Sequence, residues 1–216
     1  MLKTWQRVCA SFVVRVVLSA GGLWLALLAE GRAAPTLYDA VLDITPYVSS
    51  IARYNYLLWL AAYVPVSLWF LKTDAERFIR YMYLAGAVAF LRGVCIVVTG
   101  LGPIFGPDQH VGLTLAERTH AFWDLLNPLA FFAPSAGARL YLTKDLFFSG
   151  HTSSTFLLLL YVWRYEVLRW WMLTGHVLVV ASIFFSHLHY TIDVIGAYAI
   201  TFSLFALREW RPKPAA

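Results

Sequence analysis

Charge is scarce in this chain. Asp, Glu, Lys and Arg make up 13% of 216 residues, about half of the roughly 25% usual in soluble domains. Hydrophobic residues make up 60%. That balance excludes a disordered chain, a coiled coil and an ordinary soluble domain, whose core could not hide so much apolar surface. Cysteine is nearly missing as well. Cys9 and Cys95 both sit in apolar runs, which excludes a disulfide framework and a CxxC metal knuckle. No internal repeat, low-complexity tract or composition break marks a second domain. What is abundant is aromatic: 9 Trp, 12 Tyr and 15 Phe, with Trp and Tyr suited to the headgroup level of a bilayer. The mean hydropathy is +0.66. These features point to an all-α, multi-pass membrane protein with one integral domain over residues 1–216. The net charge of +5 is then explained by Lys and Arg flanking apolar spans, and no nucleic-acid partner is expected.

A crossing takes about 20 residues, so six crossings need roughly 120 and leave about 100 for loops. Hydropathy predicts spans at about 12–29, 55–71, 80–100, 148–163, 170–186 and 189–207. Arg92 interrupts the third. The last apolar stretch, Trp170–Leu207, is too long for one crossing and is divided by the polar run Ser186-His187-Leu188-His189-Tyr190-Thr191-Ile192-Asp193. A long loop is expected over 101–147, with Phe122–Phe132 lying on or dipping into the membrane. The basic start and the small residues Gly31-Arg32-Ala33-Ala34 are also compatible with a signal peptide. Against that, the first run is long for an h-region, and its removal would leave an odd helix count.

Orientation follows the distribution of Lys and Arg. With the N-terminus in the cytosol, the cytosolic segments hold Lys3, Arg7, Lys72, Arg77, Arg80, Arg164, Arg169, Arg208, Arg211 and Lys213. The opposite side holds Arg32, Arg53, Arg118, Arg139 and Lys144. The expected architecture is therefore a six-helix transmembrane bundle with both termini cytosolic. Helices four and six then both begin on the non-cytosolic face, periplasmic, exoplasmic or lumenal. One opens with Ser149-Gly150-His151-Thr152 and the other with His189-Tyr190-Thr191-Ile192-Asp193. Helix N-termini carry free N–H groups and partial positive charge, which favour phosphate.

His189 and Asp193 are four apart and share one helix face. A carboxylate fixes the tautomer of its imidazole and leaves the other ring nitrogen ready for nucleophilic or base chemistry. The alternative is a polar pair bridging two helices, although ionisable groups inside spans are costly and usually functional. Near His151, Gly150 permits close backbone approach, while Ser149 and Thr152 offer hydroxyls and a helix cap. Arg92 has a fork suited to phosphate oxygens, or it is a snorkelling, ion-paired structural arginine. Asp39 and Asp43 in the first loop either meet a cationic headgroup or are solvated. A metal site from His151, His187, His189 and Asp193 lacks a further arranged carboxylate or cysteine, so neither a metal nor a cofactor is expected. His176 reads as a structural contact, and nothing marks out His110 or His120.

Asp145-Leu146-Phe147-Phe148-Ser149-Gly150-His151-Thr152 followed by His189-Tyr190-Thr191-Ile192-Asp193-Val194 resembles the sphingomyelin synthase family. That family belongs to the type-2 phosphatidic acid phosphatase superfamily. Arg92-Gly93-Val94-Cys95 running to Leu101-Gly102-Pro103, and the segment from Pro35 to Pro46, are similar to two further motifs of the family. The resemblance implies that His151, His189 and Asp193 form a catalytic triad on the lumenal or exterior face. It implies transfer of a phosphocholine or phosphoethanolamine headgroup from a phospholipid donor to a lipid alcohol acceptor, ceramide or diacylglycerol. Arg92, Asp145, Ser149, Gly150 and Thr152 are the expected substrate contacts. Thr143-Lys144 stands where the family usually has Cys-Gly, and Gly102 precedes Pro103; both departures bear on headgroup and acceptor preference. Phosphatases of the superfamily place Ser-Arg before their histidine. The matching positions here are Ser182 and Ile183, so that arginine is missing. A diester-using transferase is therefore favoured over a phosphatase, with Lys144 as the one residue able to fold over the site and supply a second cation. A phospholipase C-type hydrolase and a non-catalytic lipid-binding protein are the other readings.

Overall fold

A computed structural model describes residues 2–108, 110–127 and 142–209. The described residues form eight helices and no strand. They are α1 (Leu2–Glu30), α2 (Ala40–Ile44), α3 (Ser49–Thr73), α4 (Ala75–Thr99), α5 (Leu115–Leu126), α6 (Gly150–Val162), α7 (Glu166–Phe185) and α8 (Thr191–Glu209). Five of them, α1, α3, α4, α7 and α8, are long and apolar enough to cross a membrane. α6 has 13 residues and is too short by that measure. The chain is a multi-pass membrane protein. Large apolar side chains stand exposed along the long helices, among them Phe12, Val17, Leu68, Val98, Val177, Ile195 and Phe202, as acyl chains for solvent require.

The helices overlap the expected spans but overrun most of them. α1 begins ten residues before its apolar run and α3 six, because a helix continues through polar flanks that hydropathy does not score. Local chemistry sets the ends. Asp74 accepts the Arg77 amide and caps α4. Gly100, at φ 60°, closes that helix in the left-handed region. The expected loop 101–147 contains α5, whose Thr114 and Glu117 form a reciprocal capping box. Of the segment Phe122–Phe132, residues 122–126 lie in α5, where the Phe122 ring meets Trp24 edge-on at 5.5 Å. Residues 128–132 lie outside the described residues, as do Arg139, Arg211 and Lys213.

α1 runs parallel to α4 in close contact. A Cβ added to Gly22 would stand 2.4 Å from the Ala89 carbonyl oxygen, and one added to Gly93 would stand 2.5 Å from the Gly22 carbonyl oxygen. Small residues there let the two backbones meet. α6 lies between α4, α7 and α8, with Leu157, Leu158, Tyr161 and Val162 fully buried in a cluster that also holds Phe70, Tyr81 and Met172. At one end of the bundle Asp74 pairs with Arg164 and accepts the Tyr165 hydroxyl at 2.8 Å. Arg7 pairs there with Glu76 at 2.6 Å. The other end carries the polar motifs at the starts of α6 and α8.

Candidate active site

The turn Ser186–Tyr190 delivers α8. His187 holds it at φ 47°, in the left-handed region, with its Nε2 at 2.8 Å from the Thr45 carbonyl oxygen and its ring stacked on Phe105. His187 is therefore turned away from His189. Among the described residues, no group of three or more His, Cys, Asp or Glu stands together as a metal site would require.

His189 follows, 4% exposed. Its Nδ1 lies 3.2 Å from Oδ2 of the fully buried Asp193. The same oxygen accepts the Tyr190 amide at 3.0 Å. With Nδ1–H donated to a carboxylate, the lone pair of the neutral ring resides on Nε2. Ser149 donates its amide to the Asp193 carbonyl oxygen at 3.0 Å, so the start of α6 is fastened to the first turn of α8. The Ser149 hydroxyl accepts the Thr152 amide at 3.3 Å and the Thr152 hydroxyl at 3.0 Å. Both side chains are fully buried and are engaged in capping. His151, in the first turn, sets its ring 6.4 Å from that of His189, centroid to centroid. The structure thus brings the three expected triad residues together, although 42 positions separate His151 from Asp193 in the chain.

Arg92 reaches across from α4. Its Nε donates to the Phe148 carbonyl oxygen at 2.6 Å, and a terminal nitrogen donates to the Asp145 carbonyl oxygen at 2.8 Å. The other terminal nitrogen pairs with the Asp145 carboxylate at 2.7 Å. Burial works to raise the Asp145 carboxyl, but the charge and hydrogen bond of Arg92 outweigh it and hold that carboxyl below its usual 3.8. A Cβ on Gly150 would stand 3.2 Å from the Arg92 guanidinium carbon, so glycine at the start of α6 lets Arg92 pack closely over it. Seven residues separate Arg92 from the end of α4, about 10 Å at helical rise, so the site is recessed from the end of that helix.

Other expectations are corrected. Lys144 does not fold over the histidines. Its side chain is 2% exposed and its Nζ holds Asp108 and the Arg32 carbonyl oxygen, each at 2.5 Å. Asp39 is not a free headgroup ligand. It caps α2 through Val41 and Leu42 and accepts the Thr191 amide at 2.5 Å and hydroxyl at 2.9 Å. His110 is not idle, since its Nδ1 lies 2.6 Å from Glu30. His176, by contrast, is the structural contact expected of it, its ring nitrogens meeting the Thr155 and Tyr198 hydroxyls at 2.7 and 2.8 Å.

Sequence reasoning missed several partners of this site. Glu30, fully buried, accepts the amide and hydroxyl of Thr143 and the amide of Lys144, fastening the strand of chain before Asp145 to the end of α1. Trp59 sets its ring edge-on to His151 at 6.1 Å and donates its indole N–H to Ser154 at 2.9 Å. Trp59 is one aromatic inside an apolar run and Glu30 reads as the polar flank of the first span, so neither residue carries a signal. A cavity of about 230 Å³ adjoins the site between α1, α4 and α6, with Arg92, Asp145 and Gly150 in its wall.

Residues 144–210 match the family model described as PAP2 superfamily C-terminal. The matched stretch holds α6, α7 and α8, and so both histidine motifs. No curated protein matches the chain. The match supports the type-2 phosphatidic acid phosphatase superfamily, and with it an enzyme acting on phospholipid phosphate esters in membranes.

Proposed function

We propose that the protein is a sphingomyelin synthase-like phosphotransferase that moves a phosphocholine or phosphoethanolamine headgroup from a glycerophospholipid to a ceramide-like lipid alcohol. The bundle crosses the membrane six times, with α6 and the recessed chain that leads into it together making the fourth crossing, and keeps both termini in the cytosol. The site then opens on the non-cytosolic face.

The observation that carries this reading is the pairing of His189 with Asp193 across from His151. Nε2 of His189 attacks phosphorus, and the bond from phosphorus to the diacylglycerol oxygen breaks. His151, protonated once the anionic diester lies beside it, gives that oxygen its proton. The headgroup phosphate is held as phosphohistidine. His151, now neutral, takes the proton of the acceptor hydroxyl as its oxygen attacks phosphorus. The phosphorus–nitrogen bond breaks, and both histidines return to their starting states. Asp193 stabilises the positive charge that His189 carries while it is phosphorylated. Arg92, oriented by Asp145, and the amide groups at the start of α6 stabilise charge on the phosphoryl oxygens.

Charge balance favours a diester. Arg92 is already paired with Asp145 and Lys144 with Asp108, so neither is free to neutralise a second phosphate charge. A hydrolase using water as acceptor is the second reading, favoured by the superfamily match alone. The deciding experiment gives purified protein labelled phosphatidylcholine or phosphatidylethanolamine with and without ceramide. Label appearing in the ceramide product supports the transferase. Water-soluble label that is indifferent to ceramide supports the hydrolase. No turnover of either kind overturns both.

A further inference from the structure

Arg15 sits in the middle of α1, in the wall of the cavity that also reaches Arg92, Asp145 and Gly150. Its Cα packs on Gly86 of α4. Gly22, seven residues further along α1, packs on Gly93. Arg15 therefore lies about 10 Å deeper in the bundle than Arg92. Between the two levels the wall carries the hydroxyl residues Ser19, Ser153 and Ser154 beside Ala and Leu side chains.

The two arginines differ in how their charge is met. Arg92 has a carboxylate and two carbonyl oxygens. None of the ion pairs found among the described residues involves Arg15. Its guanidinium lies 6.0 and 5.8 Å from the ring centres of Tyr63 and Tyr81 and interacts with both hydroxyls, which also hydrogen-bond each other. One terminal nitrogen is buried with no hydrogen-bond acceptor. A guanidinium brings five donors, and a buried donor left unmet is costly. An arginine at such depth is retained at a cost unless something in the cavity meets it.

Resting on the function proposed above, we infer that this cavity holds the backbone of the lipid whose reacting end lies at His189, and that Arg15 donates to a carbonyl oxygen of that lipid. The depth fits. A phosphate or reacting hydroxyl near Arg92 places the ester or amide carbonyls of the same molecule deeper along the cavity, and the serines line the path between. The recognised chemistry is an uncharged carbonyl, ester in a glycerophospholipid and amide in a ceramide-like acceptor. Arg15 is a binding residue in this arrangement and takes no part in bond making.

The test is a binding measurement that needs no turnover. Wild-type protein in detergent is loaded with a fluorescent phosphatidylcholine, which is displaced by diester phosphatidylcholine or by its diether analogue, which lacks both carbonyls. A parallel arm uses ceramide against the N-alkyl analogue without the amide carbonyl. Carbonyl lipids should displace the probe about tenfold more effectively, the scale of one hydrogen bond from a charged donor. R15M should abolish the preference, and R15Q, which keeps an N–H donor, should retain part of it. A preference in the ester arm alone assigns the site to the donor, and one in the amide arm alone assigns it to the acceptor. Equal displacement by carbonyl and carbonyl-free lipids in both arms of the wild-type protein overturns the inference without any variant having to fold. So does an undiminished preference in R15M. Absence of headgroup transfer together with a carbonyl preference would overturn the transferase reading and leave the lipid site standing.

Discussion

The amide of Ser149 donates to the carbonyl oxygen of Asp193 at 3.0 Å. This main-chain bond makes the two histidine motifs one site, because it fixes the first turn of α6 against the first turn of α8. Rotation of either helix would carry His151 away from His189.

His189→Ala and Asp193→Asn should each lower headgroup transfer by at least about 100-fold, the lower range for losing an acid–base partner. Asp193→Asn keeps shape but loses the charge that stabilises imidazolium. Membrane insertion and elution of the purified protein should be unchanged. Near-normal turnover in His189→Ala would remove it as nucleophile.

Phosphatidylcholine or phosphatidylethanolamine should outcompete phosphatidic acid as substrate by about 100-fold or more in kcat/KM. A phosphomonoester carries about −1.5 to −2 at neutral pH, and each unmet charge in a partly dehydrated site costs more than the ~1.4 kcal/mol of a tenfold change. Phosphate release and headgroup transfer measured in one preparation decide it. Efficient phosphate release with no transfer to any lipid alcohol favours the phosphatase.

Gly22→Ala and Gly93→Ala should both destabilise the bundle. Each new methyl would meet backbone at 2.4 or 2.5 Å, where no side chain can move aside. Overpacking of this kind costs about 1–3 kcal/mol. At about 2–4 °C per kcal/mol for a chain of this size, a fall of several degrees in the melting temperature is expected. An unchanged melting temperature would contradict the close approach of α1 and α4.

Asp39→Asn should loosen the start of α8. Burial works to raise the Asp39 carboxyl, but the bonds from Thr191, Leu42 and Val41 outweigh it and hold it below its usual 3.8. A lowered native value means that the carboxylate stabilises the fold above the unfolded value, and that this is lost as pH falls through the native one. The melting difference between wild type and Asp39→Asn should therefore be constant from neutral pH down to about pH 4 and shrink below it. A difference that already collapses between pH 7 and 5 would refute the assignment.

Topology is open to cysteine labelling in a background lacking Cys9 and Cys95. Val111 and Thr73 are both exposed and lie at opposite ends of the bundle. A cysteine at Val111 should react with an impermeant thiol reagent in intact cells, while one at Thr73 should not. The reverse pattern would put the site in the cytosolic leaflet.

What depends on neighbours along the chain was legible before any helix was placed. Scarce charge and long apolar runs dictate helices, because a bilayer leaves backbone groups no other partners. The polar breaks at Ser149–Thr152 and His189–Asp193 stand out against those runs, and the four-residue spacing puts His189 beside its carboxylate. The Thr114–Glu117 capping box was also written there, hidden within a stretch that reads as loop. Tertiary structure alone decided the rest. It pairs Arg92 with Asp145, seats Lys144 on Asp108, turns Asp39 to Thr191, and brings Glu30 to Thr143 and Trp59 to His151. Each of these contacts joins residues more than 30 positions apart. Hydropathy and helical period describe one helix at a time, whereas the partner of a buried charge is chosen by how the helices pack against one another.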